Sequence, residues 1–296
     1  MSYRPFHVHV HRSERLSPHF LRITLTGDEL RHFRASGPFL DQRLKLIFPT
    51  DSGDLPVLDA AGDWFAQWSA LPAERRGPMR SYSVRQLLDA AGHRFLVIDF
   101  VLHLAPDATG PAARWARDAR PGDPLLVIGP SRDTPEGMGV EFLPGTATRI
   151  VLVGDETAAP AIARILDDLP ADARGQALIE VPTQDDVLSF PTPERMTVRW
   201  LPRHGLPPGQ LLLDHFQLTG REPSPGEVLP WETPDYSSSG EPLDVDKRPG
   251  DGTYHWIAGE AVMVTTLRRH LVRDRGVARS QVSFMGYWKQ GVAMRG

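Results

Sequence analysis

Two short turns have the residue types and spacing that nucleotide chemistry requires. In VGDETAAP (residues 153–160) a glycine, two acids and a threonine stand between an apolar run, RIVLVGD (149–155), and a helical pattern, ETAAPAIARILDDL. A buried parallel strand feeding a helix places this turn at the carboxyl end of a sheet, where open α/β sheets bind nucleotides. Thr157 suits the N-cap, with Pro160 as the third helical residue. The turn has Gly154 alone rather than G-x-G-x-x-G, so the residues also suit a capped helix in a domain that binds no nucleotide. In TGPAARW (109–115), Gly110 and Pro111 open a helix whose first turn carries only Ala112 and Ala113. Free N–H groups and the positive end of the helix dipole would accept a phosphate there, although many helices begin with Gly-Pro and bind nothing.

Other constellations read more plainly. His7, His9 and His11 alternate along one strand face in HVHVH. Such neighbours rarely converge on one ion, so a polar solvent face is expected rather than a metal site. DFVLH (99–103) sets Asp99, Val101 and His103 on one face, often no more than a structural pair. RSYSVR (80–85) alternates Arg80, Tyr82 and Val84 with Ser81, Ser83 and Arg85. By itself this Tyr reads as a cross-strand packing residue and this Arg as solvent-facing. No G-x-S-x-G elbow or Walker A loop occurs. The absence of cysteine excludes disulfides, a thiolate nucleophile, Cys-ligated zinc and a Cys-held iron–sulfur cluster. Electron transfer, if any, needs an organic cofactor or a His/carboxylate metal site.

The elements that position these residues fall into two rhythms. HVHVHRS, HFLRITLTG, RLKLIFP, MRSYSVR, HRFLVIDFVLH and DPLLVIG are short strands separated by turn chemistry, as in a sandwich or small barrel, with one helix over 111–119. From residue 149 strands alternate with helices, which predicts a doubly wound α/β domain. The domains expected are 1–145 and 146–296, with 220–253, rich in Pro, Gly, Ser and acids, a mostly disordered insertion. A length of 296 residues suits two cores. A formal net charge of −4 speaks against nucleic acid as a partner. With no membrane-spanning apolar run and no signal-peptide core near the N-terminus, a cytoplasmic protein is expected.

In this order, LSPHFLRITLTGDEL, DQRLKLIFP, RSYSVR, DFVLH with GPAARWA and PGD, LVGDETAAPAIARIL, WIAGEA and GYWKQG resemble the siderophore-interacting protein family, flavin-dependent ferric-siderophore reductases. The resemblance covers nearly the whole chain apart from 220–253. It implies an antiparallel Greek-key FAD-binding β-barrel followed by a parallel-sheet nicotinamide-nucleotide domain, ferredoxin-reductase-like. Tyr82 would then pack on the isoalloxazine, Ser83 would reach its N5 edge and Arg80 would pair with the cofactor phosphates. An aromatic face suits a flat ring, and a guanidinium offers phosphate a bidentate fork. Val84, Asp99, Val101, His103, the helix start Gly110, Pro111, Ala112 and Ala113, and Trp288 would complete the FAD site. Gly154, Asp155, Glu156, Thr157, Gly259 and Glu260 would border the nicotinamide nucleotide, and Lys45 and Arg132 would receive an anionic ferric siderophore.

The reaction implied takes electrons from NADH or NADPH through FAD to chelated Fe(III), releasing Fe(II), in a monomer that inserts into no membrane. EVPTQDD after the second strand of the nucleotide domain favours NADH; Arg199 and Arg203 in and after the next strand favour NADPH. Two rivals remain at this point: an NAD(P)H:flavin or quinone oxidoreductase with another acceptor, and a siderophore-binding protein without enzymatic activity.

Overall fold

The computed structural model describes residues 3–35, 37–103, 109–220, 229–234, 236–237 and 252–291. The chain divides into two compact units, the first ending at Val140 and the second beginning at Glu141.

The first unit is an antiparallel sheet of seven strands: β1 (Tyr3–Arg15), β2 (Phe20–Thr26), β3 (Arg43–Ile47), β4 (Met79–Ser83), β5 (Gln86–Ala90), β6 (His93–Val101) and β7 (Pro124–Pro130). Their order is β4-β3-β7-β1-β2-β6-β5, so β4 and β5 are its two edges. Only Val84 and Arg85 join these edges, and the three Cα steps from Ser83 to Gln86 span at most about 11 Å. The sheet must therefore curl until its edges nearly meet. The link is bonded to both sides of the seam: Val84 N–H donates to Gln42 O and Arg85 N–H to Val97 O, each at 3.0 Å. Alternate residues fill the concave face, among them Phe6, Val8, Ile23, Leu25, Leu44, Leu46, Ile98 and Phe100. Each such side chain contributes roughly 1.5–3 kcal/mol on burial.

The convex face has its own apolar cluster. Ile47, Met79, Leu126 and Ile128 meet Leu58 and Trp68 from the segment between β3 and β4. That segment holds two helices the sequence reading did not anticipate, α1 (Trp64–Ala70) and α2 (Ala73–Arg76). Asp63 caps α1, accepting from the N–H groups of Phe65 and Ala66. The helix expected over 111–119 is α3 (Pro111–Asp118). QLLDA, which has no strand period, is β5, held by antiparallel pairing to β6.

The second unit contains β8 (Arg149–Gly154), α4 (Ala159–Asp168), β9 (Arg174–Val181), β10 (Arg195–Pro202), α5 (Gln210–His215), β11 (Trp231–Thr233), β12 (Tyr236–Ser237), β13 (Thr253–Glu260), α6 (Ala261–Arg269) and β14 (Val282–Trp288). The order β10-β9-β8-β13-β14-β11-β12 makes a mixed sheet. Its first five strands pair in parallel, and β11 pairs antiparallel to β14. The strand–helix alternation is as expected, with two corrections. The segment 220–253 is not without regular structure, because β11 lies within it and Glu232 accepts from Arg268 at 2.7 Å; residues 221–228, 235 and 238–251 lie outside the described residues. α4 begins at Ala159 with Ala158 as N-cap, so Thr157 is not the cap. The Thr157 hydroxyl is drawn instead to Asp155 Oδ1 at 2.5 Å. Among the described residues no helix is long and apolar enough to cross a membrane.

Candidate functional site

The seam of the first unit gathers the residues implied for a flavin. Arg80 and Tyr82 pair across to Leu46 and Leu44, whose side chains are buried on the concave face. Strand alternation therefore puts the guanidinium and the phenol ring on that face too. The Tyr82 ring lies 4.5 Å from Phe100, and Phe100 lies 5.9 Å from Trp115 of α3. One line of aromatic contacts thus runs from β4 to the helix. Burial raises the Tyr82 phenol well above its ordinary value and lowers Arg80, with each easing the other's shift. The Arg80 guanidinium donates to Met79 O at 2.7 Å. At the start of α3 no side chain caps Gly110, and a Cβ at that glycine would meet nothing within 4 Å. Ala112 and Ala113 pack inward with Ala116. A guanidinium and a ring on one face, joined by aromatic contacts to a helix that opens on glycine, proline and alanines, suit a phosphate-bearing flat cofactor.

Ser83 ends β4, half-buried and opposite Arg43, and Val101 and His103 are half-buried at and beyond the end of β6. Two residues of this set are also built into the fold. The Val84 side chain is fully buried in the core. Asp99 faces the convex side, where Arg22 donates to its two carboxylate oxygens at 2.7 Å each and Arg85 Nε stands 3.7 Å away.

In the second unit the acids converge on the carboxyl edge of the parallel strands. Asp155 follows β8 and is fully buried. Its Oδ1 accepts from Thr157 N–H at 2.9 Å as well as from the Thr157 hydroxyl. Its Oδ2 accepts from Glu260 N–H and Trp288 Nε1–H, both at 2.8 Å. Burial, and then the neighbouring Glu156, push this carboxyl up to about 7 against the pull of those donors. Glu156, also fully buried, takes a bidentate pair from Arg203 at 2.6 and 2.7 Å. Glu180, near the end of β9, accepts from the N–H groups of Gly209 and Leu211 at 2.6 and 2.9 Å and lies 3.6 Å from Arg203. Glu260 accepts from Val262 and Met263 N–H and so caps α6. Gly154 lets the strand turn this tightly, since a Cβ there would lie 2.4 Å from that of Ala158.

Sequence models for a siderophore-interacting FAD-binding domain and for the siderophore-interacting protein match residues 9–134 and 147–291. The chain belongs to the siderophore-interacting protein family. Among this family member's relatives is the ferric vibriobactin reductase ViuB of Vibrio cholerae, 29% identical over 95% of this chain and 88% of the relative. Another is the NADPH-dependent ferric-chelate reductase of Escherichia coli, 28% identical over 94% and 90%. A solved siderophore utilization protein from T. fusca is 30% identical, with a TM-score of 0.71 over 99% of this chain and 95% of that one.

The structure groups the family member's residues differently from the sequence in three places. Trp288, implied for the flavin, is bonded through its indole nitrogen to Asp155, which the resemblance implies for the nicotinamide nucleotide. Arg203, a candidate for a nucleotide 2′-phosphate, is committed to Glu156. Lys45 lies opposite Ile128 on β7, whereas Arg132 is exposed beyond the end of that strand. The cation beside Lys45 is instead Arg43, two positions earlier on the same face. Burial, with Arg43 adding to it, lowers the Lys45 ammonium, which donates to Ser81 Oγ at 2.7 Å. Strand alternation in RLKLI held that signal. His7, His9 and His11 are exposed on one face of β1, with His7 near Glu29 and the His11 ring 4.8 Å from Phe95.

Asp155 gives a prediction with a definite sign. Its carboxyl holds a proton more tightly when folded than when unfolded, so it adds stability below about pH 4 and loses it as pH rises towards 7. Asp155→Asn keeps the shape without the titration. Between pH 5 and pH 8 the wild type should lose on the order of 5 °C in Tm relative to this variant. Thermal unfolding of the two proteins in matched buffers measures the difference, and parallel curves would contradict it.

Proposed function

We propose that this protein is a ferric-siderophore reductase, a cytoplasmic monomer that passes electrons from NADH or NADPH through FAD to Fe(III) held by an anionic siderophore. The observation that carries this reading is the seam, where Arg80 and Tyr82 share a concave face linked through Phe100 and Trp115 to α3, in the unit matched by the family's FAD-binding domain. When bound, FAD supplies the conversion of a two-electron donor into single-electron steps. The residues here bind and orient. Tyr82 offers a flat face backed by Phe100, Arg80 offers a charge-assisted fork to phosphate, and the α3 N-terminus offers N–H groups. Electron transfer to the iron requires no acid, base or nucleophile. Release follows from chemistry outside the protein, since hard oxygen ligands hold Fe(II) less tightly than Fe(III).

The deciding experiment mixes the FAD-loaded protein anaerobically with NADH or NADPH and a panel of ferric chelates, trapping Fe(II) with a colorimetric ligand. Rapid flavin reduction without Fe(II) would point to another acceptor, and protein that takes up no FAD would point to a binding module. Lys45, beside Arg43, supports the anionic substrate. Lys45→Ala should raise the KM for ferric chelate about fivefold, less at high salt, and leave quinone reduction unchanged. Equal effects on both acceptors would remove Lys45 from the substrate site.

A further inference from the structure

Gly259, near the end of β13, has a φ of +140°, and a Cβ added there would lie 2.6 Å from Asp155 Oδ2. The missing side chain leaves a gap over the strand tip, and the Asp155 carboxylate fills it, reaching from the end of β8 across β13 towards β14. β14 is shaped to meet it. Up to Gly259 the two strands run in even register, Gly259 opposite Gly286, but Glu260 stands opposite Trp288. The extra residue in β14 is a bulge, a device that re-aims a side chain. Here it sets the indole N–H on Asp155 Oδ2 at 2.8 Å. One strand tip, one helix-leading turn and the end of β14 therefore share a single carboxylate, each oxygen taking two donors. A second tie runs from Gln290 N–H to Glu260 Oε1 at 3.3 Å. Trp288 itself is half-buried, so filling a core does not account for its place.

We propose that Asp155 is a positioning residue of the nucleotide site, holding the Trp288 indole across the gap at Gly259, and Thr157 on its own turn, where both border a bound reduced nicotinamide dinucleotide. This rests on the reading of the edge as the nucleotide site. It adds that the site is assembled through one buried carboxylate. Asp155 acts through Trp288 and Thr157, so its loss weakens nucleotide binding more than it slows electron passage.

The test uses the full chain loaded with FAD, mixed anaerobically with NADH at increasing concentration while flavin absorbance is followed. Trp288→Phe keeps a ring and removes the N–H, and Asp155→Ala removes the acceptor. Each should raise the half-saturating NADH concentration about tenfold, with the limiting rate within about threefold. The double variant should be little worse than Asp155→Ala alone, because without the carboxylate Trp288→Phe has no bond left to remove. Asp155→Asn retains an oxygen for Trp288 and Glu260 but turns its amide N–H groups towards Thr157 N–H, so it should recover only the part of the loss carried by Trp288. A readout independent of turnover is the Trp288 indole N–H resonance in ¹⁵N-labelled protein, assigned by its disappearance in Trp288→Phe. It should shift in Asp155→Ala, return in Asp155→Asn and respond to added NADH in the wild type. If Asp155→Ala does not fold, Trp288→Phe alone decides. Unchanged half-saturation in Trp288→Phe would overturn the inference while leaving the reductase reading intact. A wild type whose flavin neither NADH nor NADPH reduces would overturn both.

Discussion

Arg80→Ala is expected to purify without bound flavin and to take up FAD about 100-fold more weakly than the wild type. The guanidinium is half-buried on the concave face beside Tyr82, and its hydrogen bond within the protein goes to the carbonyl of the preceding residue. Losing that bond costs the apoprotein little. Losing a fork that desolvated phosphate oxygens would otherwise meet costs the complex much more. Arg80→Lys keeps the charge and loses the planar fork, so it should fall between the two. Titrating apoprotein with FAD and following the quenching of flavin fluorescence gives the three affinities, and thermal unfolding of the apo forms checks the fold. Unaltered affinity in Arg80→Ala would remove the phosphate role and leave Tyr82 as a packing residue, as its sequence context alone suggests.

Sequence reached different distances for different residues, and the differences have physical causes. α3 was legible because Pro111 fixes a first-turn geometry locally and the small residues follow at once. β8 was legible because burial on both faces leaves a continuous apolar run. β5 was hidden: QLLDA is exposed at most positions, so it lacks an alternating pattern and becomes a strand only through its ladder with β6. Arg85 and Val84 gave no hint that they form a seam, since that role belongs to the order of seven strands and not to the pair itself. Thr157 has the ordinary signature of a cap, but a buried carboxylate two residues earlier competes for its hydroxyl and wins. Pairings such as Asp155 with Trp288, or Glu156 with Arg203, join residues far apart in the chain, and no local rule relates them. The residues implied for a cofactor were reached by resemblance, and the acid network that organises the second unit's edge became visible only in three dimensions.

That network sets the second large expectation, in Arg203→Leu. Glu156 and Glu180 are both fully buried, and the Arg203 side chain between them is only 11% exposed. Leucine fills most of the space and supplies no charge. Glu180 retains the N–H groups of Gly209 and Leu211, but Glu156 loses a bidentate partner. Breaking one side of a buried ion pair costs about 3–5 kcal/mol, more than the pair itself contributes over an apolar substitute. A fall in Tm on the order of 10 °C is expected at pH 8. The sign of its pH dependence is fixed by Glu180. Burial already raises this carboxyl and Arg203 holds it down, so without the guanidinium it rises further, the variant regains stability by taking up a proton as pH falls, and its deficit should narrow at pH 5. A deficit independent of pH would mean that lost packing, not stranded charge, is responsible. Adding Glu156→Gln to Arg203→Leu separates the two further, because removing the stranded carboxylate should restore much of the loss at pH 8 if charge is the cause. An arginine so committed is unsuited to recognising a phosphate on an incoming nucleotide, and it leaves the edge net acidic around Asp155, Glu156 and Glu180. For a nicotinamide nucleotide bound as proposed at this edge, the phosphates would be better met at a distance from these acids, while the neutral nicotinamide ring, which turns cationic as hydride departs, would gain from lying close to them.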